Sequence, residues 1–85
     1  MSEIQVIKNK KISDYGSWPV WRCDVSEFDW FYDQEEHCFI TNGEVVVKGT
    51  DNTVRIIEGD YVIFPRGLKC VWDVKIPIIK HYSFK

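Results

Sequence analysis

Helical periodicity is almost missing from this sequence: no window keeps apolar residues at i, i+3, i+4 and i+7 for three turns. An α-helical bundle and an α/β fold are therefore excluded as expectations. No apolar run approaches the length needed to cross a membrane as a helix, and the opening "MSEIQVIKNKK" lacks the apolar core of a signal peptide. Those two absences predict a chain with no membrane partner, kept in the cytoplasm. An excess of positive charge is also lacking, since 11 basic and 13 acidic side chains leave a net charge of −2. No general attraction to nucleic acid follows. Cysteine is scarce and unpaired by pattern: Cys23, Cys38 and Cys70 are odd in number, widely spaced and form no CxxC motif. They predict three thiols rather than a disulfide framework. Repeats, linkers and low-complexity segments are absent. With 85 residues there is room for one domain, spanning 1–85, and for one core.

What the chain does have is aromatic mass and short β-rich runs. Four Trp, four Tyr and five Phe supply dense packing to a domain that buries only roughly 60–65% of its unfolded surface. Candidate strands recur every 8–12 residues: 4–7, 18–23, 27–32, 37–41, 44–48, 54–57, 61–64, 69–74 and 78–84. Turn chemistry separates them, at "DYGS", Asn42-Gly43, "GTDN", "EGD" and "PRG". Asn42-Gly43 between two apolar runs is the strongest hairpin signal. The pattern predicts an all-β sandwich or barrel. "FDWFYD" and "KCVWDV" alternate, placing Phe28, Trp30 and Tyr32 on one face and Cys70, Trp72 and Val74 on another. "VVV", "VRII", "YVIF" and "IPII" are apolar on both faces, so their second face needs a cover, and a homodimer is the economical one.

Two stretches carry a resemblance. "EHCFITNGEV" is similar to the second half of the first cupin motif, a glutamate and then a glycine after six residues (Glu36 to Gly43). "GDYVIFPRGLKC" is similar to the second cupin motif, and fifteen residues separate Gly43 from Gly59. Together with "WPVWRCDVSEFDWFYDQEEHCFITNGEV" and "FPRGLKCVWDVKIPIIKHY", they resemble the small single-domain cupins related to ureidoglycine aminohydrolase and the ethanolamine-utilisation cupins. The resemblance implies a small β-barrel of jelly-roll (RmlC-like) type. In metal-binding cupins it also implies three histidines and a glutamate. Here those positions fall at Trp30, Tyr32, Glu36 and Cys70, so only the glutamate persists. Two rings and a thiol do not suit a hard divalent ion. No metal and no cofactor are expected.

Independent of any family, the residues of the second motif have a physical reading. Gly59-Asp60 reverses the chain, Pro65 fixes φ at a strand end, and Gly67 allows positive φ, so that residue 70 is re-aimed inward. The interior then holds Trp30, Tyr32, Glu36, Cys70 and Trp72, an aromatic pocket with one carboxyl, one phenol and one thiol. This suits a small organic ligand. The same groups could do acid–base work, with Glu36 as proton shuttle and Tyr32 as partner acid, as in a metal-independent isomerase or epimerase. Cys70 as nucleophile would need a base, and no histidine has the parity to reach it. Two alternatives stand beside these: a metal-dependent hydrolase using Glu36 and Cys70, with Cys38 as a further donor, and an assembly module whose barrel is only packed core. Lys80 could pair with Glu36 if its face is inward, but a surface lysine is the ordinary expectation. His37 is expected to face away from the interior. The acidic series Asp24, Glu27, Asp29, Asp33, Glu35 and Glu36 reads as a solvated rim.

Overall fold

In the computed structural model, residues 3–12 and 14–85 are described. They form β1 (Gln5–Ile7), a 3₁₀ turn (Tyr15–Ser17), β2 (Val20–Cys23), β3 (Ser26–Phe31), β4 (Glu36–Lys48), β5 (Thr53–Ile57), β6 (Tyr61–Phe64) and β7 (Lys69–Phe84). All pairings are antiparallel. The all-β barrel expectation holds, and among the described residues no helix is long and apolar enough to cross a membrane.

The two longest strands organise everything else. β4 and β7 pair along nearly their full length, from Glu36↔Phe84 to Lys48↔Val71. Each changes its outer neighbour halfway. β4 pairs with β6 over Glu36–Phe39 and with β5 over Glu44–Lys48. β7 pairs with β3 over Lys69–Val74 and with β2 over Ile78–His81. Two half-sheets result, β1-β6-β4-β7-β2 and β5-β4-β7-β3, continuous through β4 and β7 and folded over one core.

The hairpin expected at Asn42-Gly43 is not there, and the nine expected strands become seven. Runs 37–41 and 44–48 are one strand, as are 69–74 and 78–84. The register shifts between Ile40 and Val45 instead, which marks a β-bulge. Its effect is visible in burial. Glu36, Cys38 and Ile40 face inward, then Val45 and Val47 do, so the interior parity of β4 flips across the bulge. β7 keeps one parity throughout, with Cys70, Trp72, Val74, Ile78 and Lys80 all buried. Asn-Gly supplies the positive φ of Gly43 (98°) for a bend within a strand rather than for a two-residue turn. Pro77 sits opposite, between the segment of β7 paired to β3 and the one paired to β2, where its missing N–H costs no ladder bond.

The core comprises Ile40, Val45, Val47, Ile56, Val62, Phe64, Leu68, Trp72 and Ile78, each at most 1% exposed. A fully buried side chain of this size contributes about 1.5–3 kcal/mol. The second face of the apolar strands is covered in part by the chain itself. Tyr15 packs on Phe39 (centroids 4.7 Å) and edge-on to His81 (5.0 Å), Trp18 lies 6.5 Å from Tyr61, and Pro19 O accepts from Tyr82 N. A partner subunit is therefore not needed to explain "YVIF".

The bend has a sharp test. A Cβ at Gly43 would collide with the carbonyl oxygen of Pro77 and sit 2.8 Å from that of Ile76, whereas one at Gly67 (φ 87°) meets nothing within 4 Å. Gly43→Ala is expected to cost at least about 3 kcal/mol, from strain plus collision, and Gly67→Ala only about 1 kcal/mol. Urea denaturation of the two variants measures the difference; equal losses would refute the role assigned to the bend.

Candidate functional site

Between the two half-sheets lies a cavity of about 230 Å³, lined by Trp21, Phe28, Trp30, Tyr32, Glu36, Trp72, Lys80, Tyr82 and Phe84. The site residues read from sequence divide accordingly. Trp30, Tyr32, Glu36 and Trp72 line this space. Cys70 does not. It is buried, but its thiol is directed to the Trp30 carbonyl oxygen at 3.7 Å, and it lines a separate shallow groove with Phe31, Lys48 and Lys69. Its cross-strand partner is Trp30, which explains the direction of that contact.

Each wall residue is set by its strand. Trp72 is 1% exposed and stacks near Phe28, with rings 6.2 Å apart and inclined by 15°. Tyr32 leaves the end of β3 and is held by the "PRG" loop: Gly67 N donates to Tyr32 O and Tyr32 N donates to Leu68 O. Its ring stacks on Phe64 at 4.7 Å and 8°. Trp30 is 50% exposed and stands at the rim, edge-on to both Phe28 and Tyr32.

Lys80 overturns the expectation of a surface lysine. It is 5% exposed, and its Nζ lies 2.6 Å from Oε2 of Glu36, itself 3% exposed. The ammonium also sits 4.7 Å from the Trp72 ring centroid and 4.8 Å from that of Trp21, within cation–π range of both. Lys80 is paired with Ile40 and Glu36 with Phe84 in the β4–β7 ladder, so the long lysine stem runs along the interior to reach the carboxylate. Sequence parity held the clue, since Lys80 is even-numbered like Trp72 and Ile78 on one strand. The expected break at Pro77 concealed it. Trp21, Phe28, Tyr82 and Phe84 were likewise not assigned to the site.

Burial holds the remaining groups neutral. The Tyr32 hydroxyl is pushed well above its ordinary value by desolvation and then by the nearby Glu36 carboxylate. Desolvation raises Cys38 to about 12 and Cys70 to about 11. Tyr32 Oη and Trp72 Nε1 are buried and make no well-formed hydrogen bond among the described residues, although the Trp72 side chain lies near enough to Tyr32 to offset part of the rise in its hydroxyl's pKa. Metal binding fits this donor set poorly. The one carboxylate at the cupin ligand positions already holds a cation, the phenol and both thiols keep their protons, and Cys70 turns elsewhere. No group of three His, Cys, Asp or Glu side chains suited to a metal occurs among the described residues. On the outer face His37 contacts Tyr61 Oη and lies 2.6 Å from Glu35 Oε2, away from the interior as its parity required.

Two measurements follow from these charges. Removing one partner of a buried ion pair strands the other, so Lys80→Met and Glu36→Leu should each lose about 3–5 kcal/mol in denaturant melts. The Lys80→Met/Glu36→Leu double variant should recover at least about 2 kcal/mol of the summed loss; simple additivity would show that the pair is not coupled. The raised thiols set a pH dependence. Native Cys38 keeps its proton from the ordinary 9.0 up to about 12, while the unfolded thiol loses it. Unfolding then releases protons in that window, so stability is full below pH 9 and falls as pH rises. At pH 8 an aromatic disulfide reagent should label Cys23 quickly and Cys38 and Cys70 only on unfolding; fast labelling of all three would contradict the geometry.

Comparison with known proteins agrees with this architecture. The model of the EutQ-like cupin domain matches residues 11–82. A DUF861 family protein from Thermotoga maritima superposes with a TM-score of 0.92 at 40% identity, covering 98% of this chain and 100% of that one. The EutQ protein of Clostridium difficile superposes at 0.70 with 18% identity, over 76% of this chain and 52% of its own. A protein of unknown function (DUF1255) from Acidithiobacillus ferrooxidans gives 0.69 at 12%, over 73% and 60%. These last two share the fold alone, and the chain spans about half the EutQ protein. No curated protein matches. With 72 of its 85 residues inside the family match (11 through 82), the chain belongs to the EutQ-like cupin family.

Proposed function

We propose that this cupin binds a small organic molecule inside its barrel without a metal ion. The observation that carries the reading is the cavity itself, about 230 Å³ of space walled by indole and phenyl rings with a buried ammonium–carboxylate pair among them. The rings touch one another edge-on and stacked, yet they leave this space open between the half-sheets, and apolar cavities of about 150 Å³ already accept benzene. Binding is favoured over acid–base chemistry because the Glu36 carboxylate is already engaged by Lys80, and over nucleophilic chemistry because the Cys70 thiol is directed to the Trp30 carbonyl and kept protonated by burial. The function of the ammonium is electrostatic: it supplies, from the chain's own β7, the positive charge that a bound metal supplies in other cupins. The reading includes a homodimer, for which the exposed Trp30, Phe31, Ile76 and Phe84 offer apolar surface.

Elemental analysis of untagged protein prepared without chelator should find no stoichiometric metal. Benzene should shift the NMR resonances of Trp21, Phe28 and Trp72 saturably. A stoichiometric metal lost in Glu36→Gln, or no saturable shift, would overturn the proposal.

A further inference from the structure

The polar pair in the cavity is only half used. Glu36 Oε2 takes the Lys80 ammonium, but among the described residues Oε1 accepts no hydrogen bond, and it is not among the buried atoms sealed from solvent. Lys80 Nζ carries three donors, of which Glu36 takes one; the rings of Trp21, Trp72, Phe64 and Tyr82 lie 4.7–6.0 Å from it. The cavity therefore presents an acceptor and a donor held side by side through their own 2.6 Å contact.

Charge selects among the ligands that could use them. The pair is neutral as a unit. A carboxylate ligand would set a second negative charge against Glu36, and an ammonium ligand would set a second positive charge against Lys80, both beside side chains that are only 3% and 5% exposed. A neutral molecule with adjacent N–H and C=O groups meets neither penalty. Shape narrows the choice again. The walls are flat rings, and about 230 Å³ is below the range of roughly 300–1,000 Å³ typical of drug-sized sites. A planar ring fits with room to spare.

Resting on the reading of the cavity as a metal-free binding site, we infer that its ligand is a small lactam or a close relative, a planar heterocycle with a –NH–C(=O)– edge. The ring N–H donates to Glu36 Oε1, the ring carbonyl accepts from Lys80 Nζ, and the ring face lies on the indoles. Lys80 and Glu36 are thus specificity-determining residues of the site as well as its structural pair. Nothing covalent is required.

The test is a titration of the full chain with 2-pyridone, N-methyl-2-pyridone and benzene, read by tryptophan fluorescence and NMR. N-methylation keeps the ring and carbonyl but removes the donor, so 2-pyridone should bind at least roughly tenfold more tightly than either comparison compound. The Lys80→Met/Glu36→Leu double variant, with no charge left unpaired, should bind all three alike. Equal affinities in the natural sequence, or benzene binding without 2-pyridone, would overturn the lactam inference and leave the cavity reading standing. Failure of all three, benzene included, would overturn both.

Discussion

A close approach between β4 and β7 is made possible by an atom that is not there. Gly43, with φ of 98°, lies against the Pro77 carbonyl oxygen, and any Cβ would have to occupy the same space. That approach lets two strands of 13 and 16 residues bend together without separating. Each can then belong to both half-sheets. The barrel, its core and the cavity between the half-sheets follow from this shared bend. So does the inward direction of Glu36, because the extra residue in the bulge reverses which side chains of β4 face the core on either side of it.

The second organising contact is the ion pair inside. Two buried charges are costly, and their attraction offsets the cost only when geometry is good and the remaining hydrogen-bonding groups are met. Lys80 and Glu36 meet the geometric condition at 2.6 Å, and the Trp21 and Trp72 faces receive the rest of the ammonium's field. The free Glu36 oxygen and the unpartnered Tyr32 hydroxyl leave the other condition open. An interior that was built for stability alone would have placed apolar side chains at both positions. A half-satisfied pair beside open space is what the proposed binding would use, and it links the energetic tension of the core to that proposal.

Much of the site was readable along the chain because β periodicity is simple. Trp30, Tyr32, Glu36 and Trp72 were placed inward by alternation and by the spacing of the two motifs, and all four line the cavity. Alternation could not say which inward residues face a void and which face another strand. Cys70 was inward by the same rule, yet its thiol turns to the Trp30 backbone. Lys80 was obtainable by counting from Trp72, but only if the strand ran unbroken through Pro77. Local propensity argues against a proline in mid-strand. The tertiary switch of neighbours from β3 to β2 is what makes it harmless there.

What the sequence determined by itself was the fold class, the three free thiols, the turn at Gly67 and the aromatic character of the interior. These depend on local chemistry: strand periodicity, the φ allowed to glycine, and the donor atoms a side chain carries. Whether Asn42-Gly43 would make a hairpin or a bulge was decided only in three dimensions. So was the meeting of Lys80 with Glu36, 44 residues away. Both depend on which strands lie beside one another, and the pairing of β4 with β7 is a long-range choice that no local window contains.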